Sequence, residues 1–397
     1  MSESPKPAES VTGRTPRVFR PVVVTTVAAA LLAGAVAPAS AAAGPDRPEM
    51  QKAVQAFVDA GFLGMQLRLN DERGEWVGSA GRRKLGASAK PPTNGRFRLG
   101  SSTKTFIATV VLQLVADGKI GLDSPVADYL PEFKLDRRIT VRMLLQHTSG
   151  LYAYTGEYRA DGSIEAGIPA AGKQWVDIRF KTYKPEELVR FGLSKPARFE
   201  PGKGFSYSNT NYTLAQLLIE KVAGRSIGEE MKRRILGPLK LRDTVVPGST
   251  DIPGPHARGY YRYQDAGKWK VVDVTRHNPS MVAGAGDMIS TTKDLHRFFS
   301  ALNRGRLLPP ELLAEMRKPH PESGPLAYGL GLSVENLGKK CGTVLHHHGS
   351  ATAGYVSVMF GTPDGKKTLT ASLTYGDTEV QWLKPMENLR KLVFCGG

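Results

Sequence analysis

One stretch limits the possible folds more than any other. From Thr105 to Val115 the chain carries Phe106, Ile107, Ala108, Val110, Val111, Leu112 and Leu114, apolar on nearly every side at helical spacing. A helix without a polar face has to be enclosed, so the rest of the chain must build a core around it. The 397 residues are enough for one large core, or for a core carrying an inserted lobe. Helical spacing over 48–60 is followed by strand-like alternation over 61–69, with 75–80 as a hairpin partner. Residues 328–334, 343–347, 355–360 and 368–375 also read as short strands, and 380–393 as a final amphipathic helix. Between them, roughly 120–295, helical stretches such as 211–224 and 227–236 alternate with loops rich in Gly, Pro and Tyr. Strands at both ends and helices in the middle predict an α+β fold with a helical lobe inserted between the sheet halves.

The first forty residues predict export. Lys6, Arg14, Arg17 and Arg20 precede an uncharged apolar or small run over 21–36, which ends in Ala39-Ser40-Ala41. This is the order of a signal peptide, cleaved after Ala41, and the apolar run is shorter than a bilayer span. Residues 1–41 are therefore expected to leave, with 42–397 as the mature domain and no stable membrane anchor. Lys and Arg number 54 against 37 Asp and Glu, a net charge of +17. With no basic tract and no zinc-finger spacing, that excess fits a solvated surface or an anionic cell wall better than nucleic acid. Outside the reducing cytoplasm the two cysteines, Cys341 and Cys395, are expected to form one disulfide; two free thiols are the alternative.

Three local patterns carry chemistry. Ser101-Ser102-Thr103-Lys104 has a serine and a lysine three residues apart, a spacing that recurs at Ser290-Thr291-Thr292-Lys293. Ser290 precedes Asp294, Leu295, Phe298 and Phe299 and reads as the N-cap of an amphipathic surface helix. Ser101 instead opens the most apolar helix, which puts Lys104 on the same face one turn deeper. Burial there lowers a lysine's pKa and lets it accept the serine proton, while helix N-terminal amides favour developing negative charge. A capping serine is the alternative.

In Phe205-Ser206-Tyr207-Ser208-Asn209-Thr210-Asn211-Tyr212, the Tyr207 phenol could relay a proton and the Asn209 amide could orient lysine and substrate. Packing of the tyrosine and capping by Asn209 or Asn211 is the other reading. In Leu345-His346-His347-His348-Gly349-Ser350, strand alternation puts His346 and His348 on one face and His347 on the other. No carboxylate or cysteine at helpful spacing joins these histidines, so no metal is expected. A strand of this kind could let a substrate lie along its edge as an added strand.

Taken in order, these motifs resemble those of the serine penicillin-recognising family: class C β-lactamases, D-alanyl-D-alanine carboxypeptidases and related esterases and D-aminopeptidases. The likeness runs from about Phe97 to Cys395. It includes Ile139-Thr140-Val141-Arg142-Met143-Leu144-Leu145-Gln146-His147-Thr148-Ser149-Gly150-Leu151, Ala283-Gly284-Ala285-Gly286 and Tyr328-Gly329-Leu330-Gly331-Leu332. It implies an antiparallel sheet of five or more strands flanked by helices, an all-helical lobe and a site in the cleft between. By motif, Ser101 is the nucleophile, Lys104 its general base, Tyr207 a proton relay and Asn209 an orienter of lysine and substrate.

The third motif fits in two registers. His347-His348-Gly349 matches literally, whereas counting back from Gly354-Tyr355 gives His348-Gly349-Ser350, the preferred match, with His348 as its polar residue. The amides of Ser101 and Ala351, or of Ser350 in the other register, would form the oxyanion hole. No cofactor is implied, and the expected ligands are peptidoglycan stem peptides or β-lactams. Within the family the chain is most similar to secreted D-alanyl-D-alanine carboxypeptidases. It departs from them in lacking a hydroxyl at the middle of the third motif, and in having Ser333 where a basic residue for a substrate carboxylate is expected. His347, Lys339 or Lys340 is the expected source of that charge.

Overall fold

The computed structural model describes residues 46–158, 164–350 and 354–396. The expected signal peptide, residues 1–41, and Ala351 lie outside the described residues, and His348, Gly349 and Ser350 are described through their backbone alone. Among the described residues no helix is long and apolar enough to cross a membrane.

After helix α1 (Pro48–Asp59) the chain makes the hairpin β1 (Gly64–Asp71) and β2 (Gly74–Gly81). A two-residue strand β3 (Phe97–Arg98) then leads through a 3-10 turn, Gly100–Ser102, into α2 (Thr103–Ala116), the helix expected from its apolar run. The long middle stretch holds α3 (Val141–Gln146), the small ladder β4 (Glu157–Tyr158) with β5 (Ile164–Glu165), α4 (Gly172–Ile178), α5 (Pro185–Leu193), α6 (Asn209–Ala223) and α7 (Ile227–Met231). A second small hairpin, β6 (Tyr260–Asp265) and β7 (Lys268–Asp273), follows. The chain returns through β8 (Ile289–Ser290), paired with β3, into α8 (Thr292–Asn303) and α9 (Pro310–Met316). It ends in β9 (Ser333–Asn336), β10 (Thr343–Ser350), β11 (Tyr355–Gly361), β12 (Thr368–Thr374) and α10 (Leu383–Phe394).

The main sheet is six-stranded and antiparallel, in the order β2-β1-β12-β11-β10-β9. Its first strands pair with its last, from Gly64 opposite Thr374 to Asn70 opposite Thr368, so both ends of the chain complete one sheet. Helices cover both faces. On one side α2, α6 and α8 share a core in which the Phe106 and Phe298 rings stack at 3.6 Å between centroids. On the other, α1 and α10 lie against Leu67, Leu69, Val358 and Leu373. A disulfide between Cys341 and Cys395 ties the β9–β10 turn to the end of α10.

Two local expectations change. The strand expected over 328–334 begins only at Ser333, because Gly331 passes hard against α2. A β-carbon there would lie 2.5 Å from Cβ of Ala108, and the residue has φ +85°, so both space and backbone require glycine. Ser290 is not the cap of α8. It is buried in β8, bonded to Thr244 Oγ1, while Thr291 caps the helix by accepting from the Asp294 amide. The second Ser-x-x-Lys is thus part of a buried joint, and α8 is largely enclosed rather than a surface helix.

Candidate active site

Ser101 sits in the 3-10 turn immediately before α2, where N–H groups of the first helical turn have no partner within the helix. One turn on, Lys104 is fully enclosed, its stem packed in the core that surrounds α2. Its Nζ lies 3.2 Å from Ser101 Oγ, 2.8 Å from Asn209 Oδ1 and 2.7 Å from the Ala285 carbonyl. The rings of Tyr207 and Tyr212 lie 4.8 and 5.4 Å from it. Burial lowers the Lys104 pKa to about 7, with the nearby Asp287 carboxylate opposing that shift. Asp287 is itself pushed up to about 6 by burial.

The chemistry of this arrangement follows from counting donors. A neutral amine has two hydrogens and one lone pair. With the hydrogens directed to Asn209 Oδ1 and the Ala285 carbonyl, the lone pair is left for the proton on Ser101 Oγ. An amine whose pKa stands near 7 can hold that form at neutral pH and accept the proton.

Tyr207 and Asn209 straddle the start of α6. Tyr207 forms part of the cleft wall, the residue as a whole 37% exposed. Its hydroxyl end is crowded, and burial pushes the phenol well above its usual pKa, with a hydrogen bond to Ser101 opposing. The phenol therefore stays protonated and available to donate. Asn209 accepts from Lys104 and directs its Nδ2 to Thr155 Oγ1 at 3.4 Å, which fixes which end of the amide faces the lysine.

These groups open on a cleft of about 220 Å3 lined by Ser101, Tyr207, Leu326, Tyr328, Ser333, His346 and His347. Larger concavities exist, such as the groove of about 860 Å3 between Asp59–Gly61 and Glu379–Pro385, but none of the expected site residues lines it. Chemistry rather than size marks the site. At the third motif the described side chains of His346 and His347 have different surroundings. The His346 ring lies against Phe360, with Nε2 3.6 Å from Glu335, while Nε2 of His347 lies 3.4 Å from the Tyr328 hydroxyl. β9 pairs with β10 only as far as His346, and β10 runs on to Ser350.

Lys339 and Lys340 do not fill the role expected of them. They lie in the β9–β10 turn, at the opposite end of the ladder from Ser333 and His346, and neither lines the cleft. At about 3.3 Å per residue, the four paired positions separate them from Ser333 by roughly 10 Å or more. Ser333 does face the cleft, so the site offers a hydroxyl and imidazoles where a basic side chain was expected.

Several contributors were given no individual role in the sequence, although Ala285 and Tyr328 stand in motif runs quoted there. The Ala285 carbonyl and Asp287 are brought to Lys104 by the segment leading into β8, and Leu326 and Tyr328 complete the cleft wall. His147, read only as one residue of a longer run, sits fully buried beside Tyr207 with its ring centroid 4.2 Å away. Its one sequence signal is a histidine at the end of a short helical pattern, just before Thr148-Ser149-Gly150.

The chain matches the Beta-lactamase family over residues 50–381. It is 38% identical to a D-stereospecific amidohydrolase from a Streptomyces species, with a TM-score of 0.77 over 89% of this chain and 100% of that one. The D-amino acid amidase of Ochrobactrum anthropi SV3, complexed with L-phenylalanine amide, is 28% identical, with a TM-score of 0.72 over 87% and 96% of the two chains. A penicillin-binding protein of Bacillus subtilis is 30% identical over 289 residues, 70% of this chain and 60% of that protein. The chain thus spans well under two thirds of the Bacillus relatives it matches, at 60% and 53% of their lengths. With the six-stranded sheet, the helices on both its faces and the Ser-Lys-Tyr cleft, these matches establish that the chain belongs to the β-lactamase family of serine hydrolases.

Proposed function

We propose that the protein is an exported serine hydrolase that cleaves amide bonds on the carbonyl side of D-amino acid residues through an acyl-enzyme on Ser101. The observation that carries the chemistry is the enclosed Lys104 amine 3.2 Å from Ser101 Oγ. Lys104 takes the hydroxyl proton as Oγ attacks the carbonyl carbon, and the oxyanion is met by the Ser101 amide together with that of Ala351 or Ser350. The C–N bond breaks, and the leaving amine receives a proton relayed through Tyr207. Water then attacks the ester, regenerating Ser101 and releasing the acid. Asn209 keeps the lysine aligned, and His348 or His347 is the polar group of the third motif beside the bound substrate.

Two observations favour a D-aminoacyl amide over an acyl-D-Ala-D-Ala peptide. Among the described residues that line the cleft there is no Lys or Arg, and a substrate carboxylate would meet hydroxyls and imidazoles on its walls. The Streptomyces protein that this chain matches over its full length is a D-stereospecific amidohydrolase. Export is supported by the basic and then apolar run that ends in Ala39-Ser40-Ala41, and it would bring the enzyme to the D-amino acids of the cell wall.

Initial rates on D-phenylalanine amide, its L-enantiomer and an N-acyl-D-Ala-D-Ala dipeptide test the substrate assignment. The D-amide is expected to exceed both others in kcat/KM by about 10-fold or more, a transition-state difference of about 1.4 kcal/mol. Faster turnover of the dipeptide would overturn this preference and make the protein a D-alanyl-D-alanine carboxypeptidase.

A further inference from the structure

We infer that His147 is the positioning residue for Tyr207, holding the backbone on both sides of the phenol and backing its ring. The inference rests on the serine hydrolase reading above. His147 lies just past the end of α3 with φ +62°, a left-handed conformation that turns its carbonyl and its ring toward the same loop. The Ser206 amide donates to the His147 carbonyl at 3.0 Å, and the Ser208 amide donates to His147 Nδ1 at 3.2 Å. The residue before Tyr207 and the residue after it are therefore both tied to one histidine. The imidazole also lies against the phenol ring, tilted 35° at 4.2 Å between centroids.

The imidazole is itself fixed. Asn211 Nδ2 makes a second contact with Nδ1 at 3.2 Å, and Ser149 Oγ donates to Asn211 Oδ1 at 2.6 Å, which sets the orientation of that amide. Nδ1 accepting from these donors requires the neutral tautomer with its proton on Nε2. Burial, reinforced by the Lys104 charge, holds the ring neutral. The rings of Tyr212 and Tyr328, each 5.1 Å away, complete the enclosure. His147 does not line the cleft, and the cleft ring nearest to it is that of Tyr207 rather than Tyr328, so its most direct route to the reaction is through that phenol. A shift of the phenol by a fraction of an ångström would misdirect its proton, and positioning errors of that size reduce turnover more than binding.

A double-mutant cycle on D-phenylalanine amide tests this. His147→Phe keeps an aromatic ring and removes the acceptor; it is expected to lower kcat by about 10-fold or more with KM changed less than about twofold. His147→Asn places an acceptor at the same distance along the side chain and tolerates the left-handed backbone, so it is expected to recover most of that loss. In a Tyr207→Phe background His147→Phe is expected to have almost no further effect. Independent, multiplicative losses, or an Asn variant as poor as the Phe variant, would overturn the inference. A measurement on the unaltered protein covers a variant that does not fold. The 15N spectrum of its histidines should contain one buried imidazole protonated on Nε2 alone throughout pH 6–8, and an imidazolium or an Nδ1-protonated ring for His147 would overturn the clamp. Turnover that survives Ser101→Ala would instead overturn the serine hydrolase reading, whatever the His147 variants do.

Discussion

Ser101→Ala is expected to reduce turnover of D-phenylalanine amide by more than about 10⁴-fold, the scale seen when a covalent nucleophile is removed. The fold should survive. Ser101 Oγ is one of three partners of Lys104, and Asn209 Oδ1 and the Ala285 carbonyl remain to receive the amine's hydrogens. The substitution removes one hydroxyl that caps no helix and bonds Lys104, a loss of about 1 kcal/mol on the scale of a single hydrogen bond. Steady-state rates alongside a thermal melt therefore separate lost chemistry from lost structure. A variant that melts like the parent and retains even a tenth of its rate would contradict Ser101 as nucleophile.

The second large effect is expected at Lys104. Lys104→Met keeps an unbranched, largely apolar side chain in the enclosed site and deletes the base, so kcat/KM should fall by about 10³-fold, within the 10²- to 10⁴-fold range of general acid-base catalysis. It also leaves Asn209 Oδ1 and the Ala285 carbonyl without their donor, at a cost of about 1 to 3 kcal/mol in stability. The pH profile carries the sharper reading. Because only the neutral amine accepts the serine proton, the parent's kcat/KM should rise with pH through about 7 and level off above it. The residual activity of the variant should lack that limb. An acid limb that persists unchanged in Lys104→Met would assign the titration to another group.

The parts legible in the sequence are those set by local pattern. The apolar helix is visible because six large or branched residues and an alanine leave it no polar face, and the pair Ser101 and Lys104 because three-residue spacing on a helix puts both on one side. β1 and β12 could be recognised as strands, but their pairing joins residues about three hundred positions apart, which no local pattern encodes. The late start of β9 follows from the approach of Gly331 to Ala108, again a contact between distant segments. His147 was hidden for a similar reason. Its part depends on a left-handed backbone and on bonds to Ser206, Ser208 and Asn211, about sixty residues away. Lys339 and Lys340, named as sources of charge for a substrate carboxylate, do not line the cleft. The antiparallel ladder carries them to its other end.

The intact mass of the protein after brief incubation with benzylpenicillin, followed by peptide mapping, tests most directly whether Ser101 carries a covalent acyl group. The expected result is an added penicilloyl mass on the peptide containing Ser101, absent from Ser101→Ala, greatly slowed in Lys104→Met, and visible transiently if the ester is hydrolysed quickly. An adduct on a different residue, or an equal adduct on Ser101→Ala, would contradict an acyl-enzyme at Ser101.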